Sequence, residues 1–232
     1  MKGVGSGSSA AGLTDGEPNR LPPSVVAAIV GANDFLTQLG RGTLTYKQSG
    51  DAAVDRAAAV DRAAVTIREK GESSEATTAY LGLLSAVLKN VAIHSRSWVS
   101  ANVALDFANS YSPASGAEER DRRLSDLRRA RSEVAQSKES AANSIQELGE
   151  LIADRGFMLP QEARDTVKAL WPVRELLATS PPIAASVLEQ GLTSDCYDFG
   201  GEISPSPPSP AGRPTSNGMS TGELNDALGR HK

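Results

Sequence analysis

From Ser74 to Ser112 the chain carries no proline and a single glycine, Gly82. Nothing in that stretch interrupts a helix, and its apolar residues fall mostly three and four apart: Tyr80, Leu84, Val87, Leu88, Val91, Trp98 and Val103. That spacing sets them along one stripe of a helix. The span therefore reads as one helix from Ser73 to Pro113. Ser73 and Ser74 suit its N-cap, and Glu75 places a negative charge in the first turn. Proline at 113 ends it by pushing the residue before it out of the helical region. Such a rod is roughly 55 Å long.

A second long run follows. Ser115-Gly116-Ala117-Glu118 has capping-box spacing. From there to about Arg155 a seam recurs at alternating steps of three and four: Leu124, Leu127, Arg131, Val134, Lys138, Ala141, Ile145, Leu148, Ile152. Two long helices joined by a short link favour an antiparallel hairpin. With the turn centred on Pro113, Leu127 is expected near Val99, Val134 near Val91 and Ile145 near Leu81.

Shorter helices flank the hairpin. Pro22-Pro23-Ser24 opens one, with Val25, Val26, Ile29, Val30, Phe35, Leu36 and Leu39 as apolar positions and Gly40 as its C-terminal cap. Arg41 to Gly50 reads as a connector. Asp51 then caps a helix to Lys70 that contains a repeat, Ala53-Val54-Asp55-Arg56-Ala57-Ala58 followed by Ala59-Val60-Asp61-Arg62-Ala63-Ala64. Ala53, Ala57, Val60, Ala64 and Ile67 lie at heptad seam spacing. They either pack closely within the chain or form a dimer seam. Beyond Gly156, a helix from Gln161 is expected to break at Trp171-Pro172. Another is expected to start at Pro181-Pro182 and to stop at Gly191.

The predicted organisation is a disordered arm over 1–21, a helical domain over 22–192 and a Pro/Ser-rich disordered tail over 193–232. The fold class is all-α: a long antiparallel helical hairpin with shorter packing helices and disordered N- and C-terminal arms. The first arm is mostly Gly, Ser and Ala, and the tail holds Ser204-Pro205-Ser206-Pro207-Pro208-Ser209-Pro210, a polyproline-like tract. Near the end, Ser220 and Glu223 again have capping-box spacing before Leu224, Ala227 and Leu228.

The chemistry expected is sparse. His94 and His231 are the only histidines, and His94 reads as a residue on a polar helix face. Cys196, the single cysteine, lies between Asp195 and Asp198, whose charges disfavour a thiolate. No His/Cys/carboxylate cluster has metal-ligand spacing, and no Gly-x-Ser-x-Gly occurs. The expectation is a protein that is not an enzyme and needs no cofactor. Its 39% hydrophobic content is largely alanine, so the core should be thin and part of its apolar surface covered by a second copy. The first residues lack the apolar stretch of a signal peptide, and the most apolar run, Val25 to Val30, is too short to span a membrane. A cytoplasmic location is expected.

The net charge of -4 excludes a protein basic throughout but leaves room for a local basic patch. Arg120, Arg122, Arg123, Arg128, Arg129 and Arg131 form one, mixed with Glu118, Glu119, Asp121, Asp126 and Glu133. Arg120, Arg123, Arg128 and Arg131 fall within about 140° on a helical wheel. That arc could follow a phosphate backbone, and these four are the candidate nucleic-acid-binding residues. With 4% aromatic residues, contact would be electrostatic and blind to sequence.

The Ala-rich repeat, the Ser204–Pro210 tract and the Ser-rich linkers give a chain rich in Pro, Ala and Ser. In this it resembles the proline-alanine-serine-rich proteins of polymycoviruses, which coat a double-stranded RNA genome in place of a conventional capsid. The resemblance is one of composition and assigns no residue a role. It implies a self-associating structural protein that coats or organises RNA in the host cytoplasm. A helical interaction module, such as a secreted effector or adaptor, is the alternative, with a protein partner for the Pro-rich tail.

Overall fold

The computed structural model describes residues 21–70 and 74–195. The described chain is all-α: α1 (Pro23–Gly40), α2 (Tyr46–Lys70), α3 (Glu75–Asn109), α4 (Gly116–Arg155), α5 (Gln161–Thr179) and α6 (Val187–Asp195), with single 3-10 turns at Pro113–Ser115 and Gly156–Met158. The Ser204–Pro210 tract, Ser220–Leu228, Cys196 and the first arm lie outside the described residues.

Successive helices from α1 to α4 run antiparallel. Asp61 on α2 meets Ser85 and Lys89 on α3, while Tyr46 at the other end of α2 meets Trp98. α5 runs parallel to α1, since Asn33 donates to the Glu162 carbonyl and Gly40 abuts Pro172. The main core holds buried side chains of α1, α2 and α5, the first half of α3 and the second half of α4. Tyr80 lies at its centre, fully buried, with its hydroxyl 2.7 Å from Thr166 Oγ1. Burial pushes that phenol well above its ordinary range, against the Thr166 hydrogen bond.

The remaining halves of α3 and α4 form an arm beyond α2. Its own core is small: Ala101, Ala130 and Val134, packed by Trp98, Ala104 and Ile183. Leu124, Leu127 and Ala108 are also buried along these halves. By length and composition α3 is the one described helix apolar enough to cross a membrane, with a mean hydropathy of 1.3 over its best window. The protein's own helices bury 56% of that window.

Several local expectations need correction. α2 starts at Tyr46, not Asp51, because Thr45 and Gln48 form a capping box: Thr45 N donates to Gln48 Oε1, and Gln48 N donates to Thr45 Oγ1. Its seam is Ala53, Ala57, Val60, Ala63 and Ile67, with Ala63 in place of Ala64, and it is buried inside one chain. Those residues are thus not free to form a dimer seam. Gly40 is the last residue of α1 and not its cap. It is glycine because a Cβ there would lie 2.4 Å from Pro172 Cβ. Ser115 caps nothing; Ser112 caps the 3-10 turn instead. α5 continues through Pro172 to Thr179. α6 begins at Val187, after an extended stretch from Ser180.

The hairpin register is shifted from the expected one. His94 faces Ser137, Asn90 donates to the Ser140 carbonyl, and Arg123 donates to the Phe107 carbonyl. The turn therefore centres near Gly116, and residues opposite α3 lie about one helical turn further along α4 than a Pro113 centre predicts. Gly116, at φ +84°, makes the reversal after the 3-10 turn. Val103, expected on the buried stripe, is 63% exposed.

Candidate nucleic-acid interface on the hairpin arm

The first half of α4 carries the six arginines, and acids spaced three and four residues away decide how many remain free. Glu119 holds two of them. Its Oε1 is 2.7 Å from Arg123 Nε and its Oε2 is 2.6 Å from Arg122 Nη2. Arg123 and then Arg122 keep that carboxyl below its usual range. Arg129 pairs with Asp126 at 2.6 Å, and Arg120 with Asp121 at 3.1 Å. Arg128 is exposed and lies in no ion pair.

Arg123 is only 12% exposed. Its Nη1 donates to the Phe107 carbonyl at 2.6 Å and to Ser110 Oγ at 3.2 Å, and the guanidinium sits 3.8 Å from the centre of the Phe107 ring. It therefore fastens the last turn of α3, where backbone carbonyls lack helical partners and attract a cation. Arg131 is also drawn inward. Nη1 and Nη2 hold the two oxygens of Glu189, and Nη2 donates to the Ala184 carbonyl. Arg131, with the Ser186 amide and hydroxyl behind it, pulls the Glu189 carboxyl down to about 2. Lys138, the other cation of the seam, reaches the Ser180 carbonyl at 3.5 Å. Arg131 and Lys138 thus dock the extended stretch 180–186 onto the hairpin.

Of the four candidate residues, Arg120 and Arg128 face solvent, while Arg123 and Arg131 are engaged within the chain. The four do not converge on one open surface. The outward-facing arginines are instead Arg122, Arg128 and Arg129, with Arg120 partly exposed, and they spread over about 200° of the helix.

His94 is not on a polar face. It is 2% exposed, between α3 and α4, with Nδ1 3.2 Å from Ser137 Oγ. The Ser137 hydroxyl also donates to the Val134 carbonyl. Nε2 is buried with no hydrogen-bond partner. The Tyr46 and Trp98 rings, stacked at 4.8 Å, close the space beside it. Burial, and next the charge of Lys138, push the imidazole below its ordinary range. Among the described residues, no group of three His, Cys, Asp or Glu side chains is placed to hold a metal.

The sequence reading missed two features of the arm. Ser186 and Glu189 form a capping box that starts α6, legible as Ser-x-x-Glu but overlooked beside the two prolines. The outer face of α3 leaves Ile93 and Val103 more than half exposed and Phe107 at 43%. Compared with known proteins, the chain matches no family model, no curated protein and no solved structure.

Proposed function

We propose that the chain is a self-associating structural protein, coat-like, that organises nucleic acid through phosphate contacts. The observation that carries the reading is the apolar surface left in water once the core has closed: Phe157 at 77%, Val187 at 64%, Val103 at 63%, Trp171 at 60% and Ile93 at 54%. Burying a side chain of this size is worth about 1.5–3 kcal/mol. Assembly recovers that energy where a thin core does not. Support for phosphate contact is the set of outward-facing arginines Arg120, Arg122, Arg128 and Arg129, spread over about 200° of α4. Three of these are tied only by exposed ion pairs worth about 0–1 kcal/mol, which phosphate can displace.

The test is RNA and DNA binding by purified protein across a salt series, with mass followed by light scattering. The reading expects mass to rise with concentration and affinity to fall steeply with salt. Arg128→Glu with Arg129→Glu should abolish the affinity. A monomer at every concentration overturns association, and no binding at low salt overturns the nucleic-acid half.

One observation favours a second reading, a helical adaptor for another protein: Arg123 and Arg131 serve the chain's own packing and are not offered to a ligand. An adaptor binds its partner with little salt dependence and has no affinity for RNA.

A further inference from the structure

We propose that the outer face of the hairpin arm, centred on Ser100 of α3, docks against the same face of a second copy of this chain, with the two α3 helices antiparallel. This rests on the self-association reading and names its surface.

Ile93, Ser97, Ser100, Ala104 and Phe107 follow one another at steps of four, three, four and three. This is seam spacing on the side of α3 turned away from α2. A shallow trough runs beside it, between α3 and α4, from Asn90 to Phe107 and past Glu133. The trough is open, with Ile93 toward one end, Val103 and Phe107 toward the other, and the small residues Ser97, Ser100 and Ala104 between them. That profile lets a second helix approach to the usual 8–10 Å.

The two large apolar residues of the face are evenly placed about its centre. Ile93 and Phe107 each stand seven residues from Ser100. A two-fold axis through Ser100 sets Ile93 of one copy over Phe107 of the other, twice, as an isologous contact requires. The α4 rim is complementary under the same axis. It reads Asp126, Arg129, Glu133, acid-base-acid, alongside the centre of the trough. The two-fold reverses that order, bringing Arg129 of each copy within about one turn of Glu133 of the other.

Size sets the strength. The trough is about 25 Å long at 1.5 Å per residue, and two helices side by side are about 20 Å wide. The contact then covers about 500 Å² on each copy, or about 1,000 Å² in all, the lower edge of specific interfaces. The association should therefore be reversible and concentration-dependent.

The test is sedimentation velocity of the full chain over a wide concentration range, with circular dichroism to check helicity. Ile93→Glu and Phe107→Glu should each weaken association at least tenfold, since two copies of each charge enter the interface. Val167→Glu, on α5, should not. Arg129→Glu and Glu133→Arg should each weaken it, and the double exchange should restore it. In a Cys196→Ser background, Ser100→Cys should cross-link to a dimer on oxidation and Val54→Cys should not. If the chain associates but ignores these α3 substitutions, this face is not the interface and the self-association reading stands. If the chain is monomeric throughout, both fall.

Discussion

Arg131 holds both carboxylate oxygens of Glu189, at 2.6 and 3.0 Å, across 58 positions of sequence. The pair fixes the start of α6 against the hairpin arm, and Ser186 caps α6 onto the same carboxylate. One acid therefore serves a tertiary contact and a helix cap together. A cation in a heptad seam, which looks like a flaw in the sequence, is the attachment point for the segment that crosses it.

Glu189→Gln should cost about 2 kcal/mol at neutral pH, as charge-assisted bonds of this kind do. The carboxyl sits at about 2 in the folded protein against an ordinary 4.5. Its contribution is complete above about pH 4.5 and lost as pH falls toward 2. Thermal melts of the two proteins should differ at pH 6, and the gap should shrink steadily from about pH 4.5 to pH 2.5. A constant gap would rule out the ion pair as the cause.

His94 gives a second, separate window. Its folded value is lowered, so the unfolded chain binds the proton more readily. Stability should be full above about 6.5 and should fall below it, by at most ~1.4 kcal/mol per pH unit. Urea unfolding of His94→Met should be flat over the range where the parent protein slopes.

Two helix starts compete for α2, and substitution separates them. Thr45→Ala should cost about 1 kcal/mol, the usual worth of an N-cap. Asp51→Ala, at an exposed position inside the helix, should cost close to nothing. Denaturant midpoints measure both.

Glycines in this fold divide by what surrounds them. Gly40→Ala drives a methyl into Pro172 and should destabilise by about 1–3 kcal/mol. Gly82→Ala meets nothing within 4 Å and should stabilise α3 by about 0.5–1 kcal/mol. Opposite shifts in Tm are the expected result.

Arg123 and Arg128 lie one and a half turns apart and should fail differently. Arg123→Ala removes an ion pair, two further hydrogen bonds and a ring contact, and should cost about 1–3 kcal/mol of stability. Arg128→Ala should leave the melt unchanged and reduce the salt slope of RNA binding by about 1. Melting curves and binding isotherms on both variants check this.

The extents of α1, α3 and α4 were legible because apolar spacing and the flanking prolines point the same way there, with Ser74 capping α3. Contacts made at a distance were not. Nothing near Pro172 says that Gly40 will leave room for it, so a helix break was the local reading. The hairpin register hung on where the chain reverses. A 3-10 turn at Pro113–Ser115 and a positive φ at Gly116 move that point, and every pairing moves with it. His94 has the polar neighbours Ser95 and Arg96, and only the shifted register puts Ser137 opposite it. The arginines could be placed on a wheel from sequence alone. That Phe107 and Glu189 would claim two of them could not, because those partners come from other helices.

The twin six-residue units of α2 carry a last consequence. Six residues turn a helix by about 600°, so matching positions of the two units land about 120° apart. Asp61 reaches α3, held by Ser85 at 2.6 Å and Lys89 at 2.9 Å, while its counterpart Asp55 stands in solvent. Gain or loss of one unit by slippage would swing Ile67, 1% exposed, about a third of a turn out of the core. Only about three units at once, roughly 18 residues and five turns, would preserve its direction. The duplication is thus frozen in number: a stretch that looks free to drift in length is held to its present count by the helix it builds.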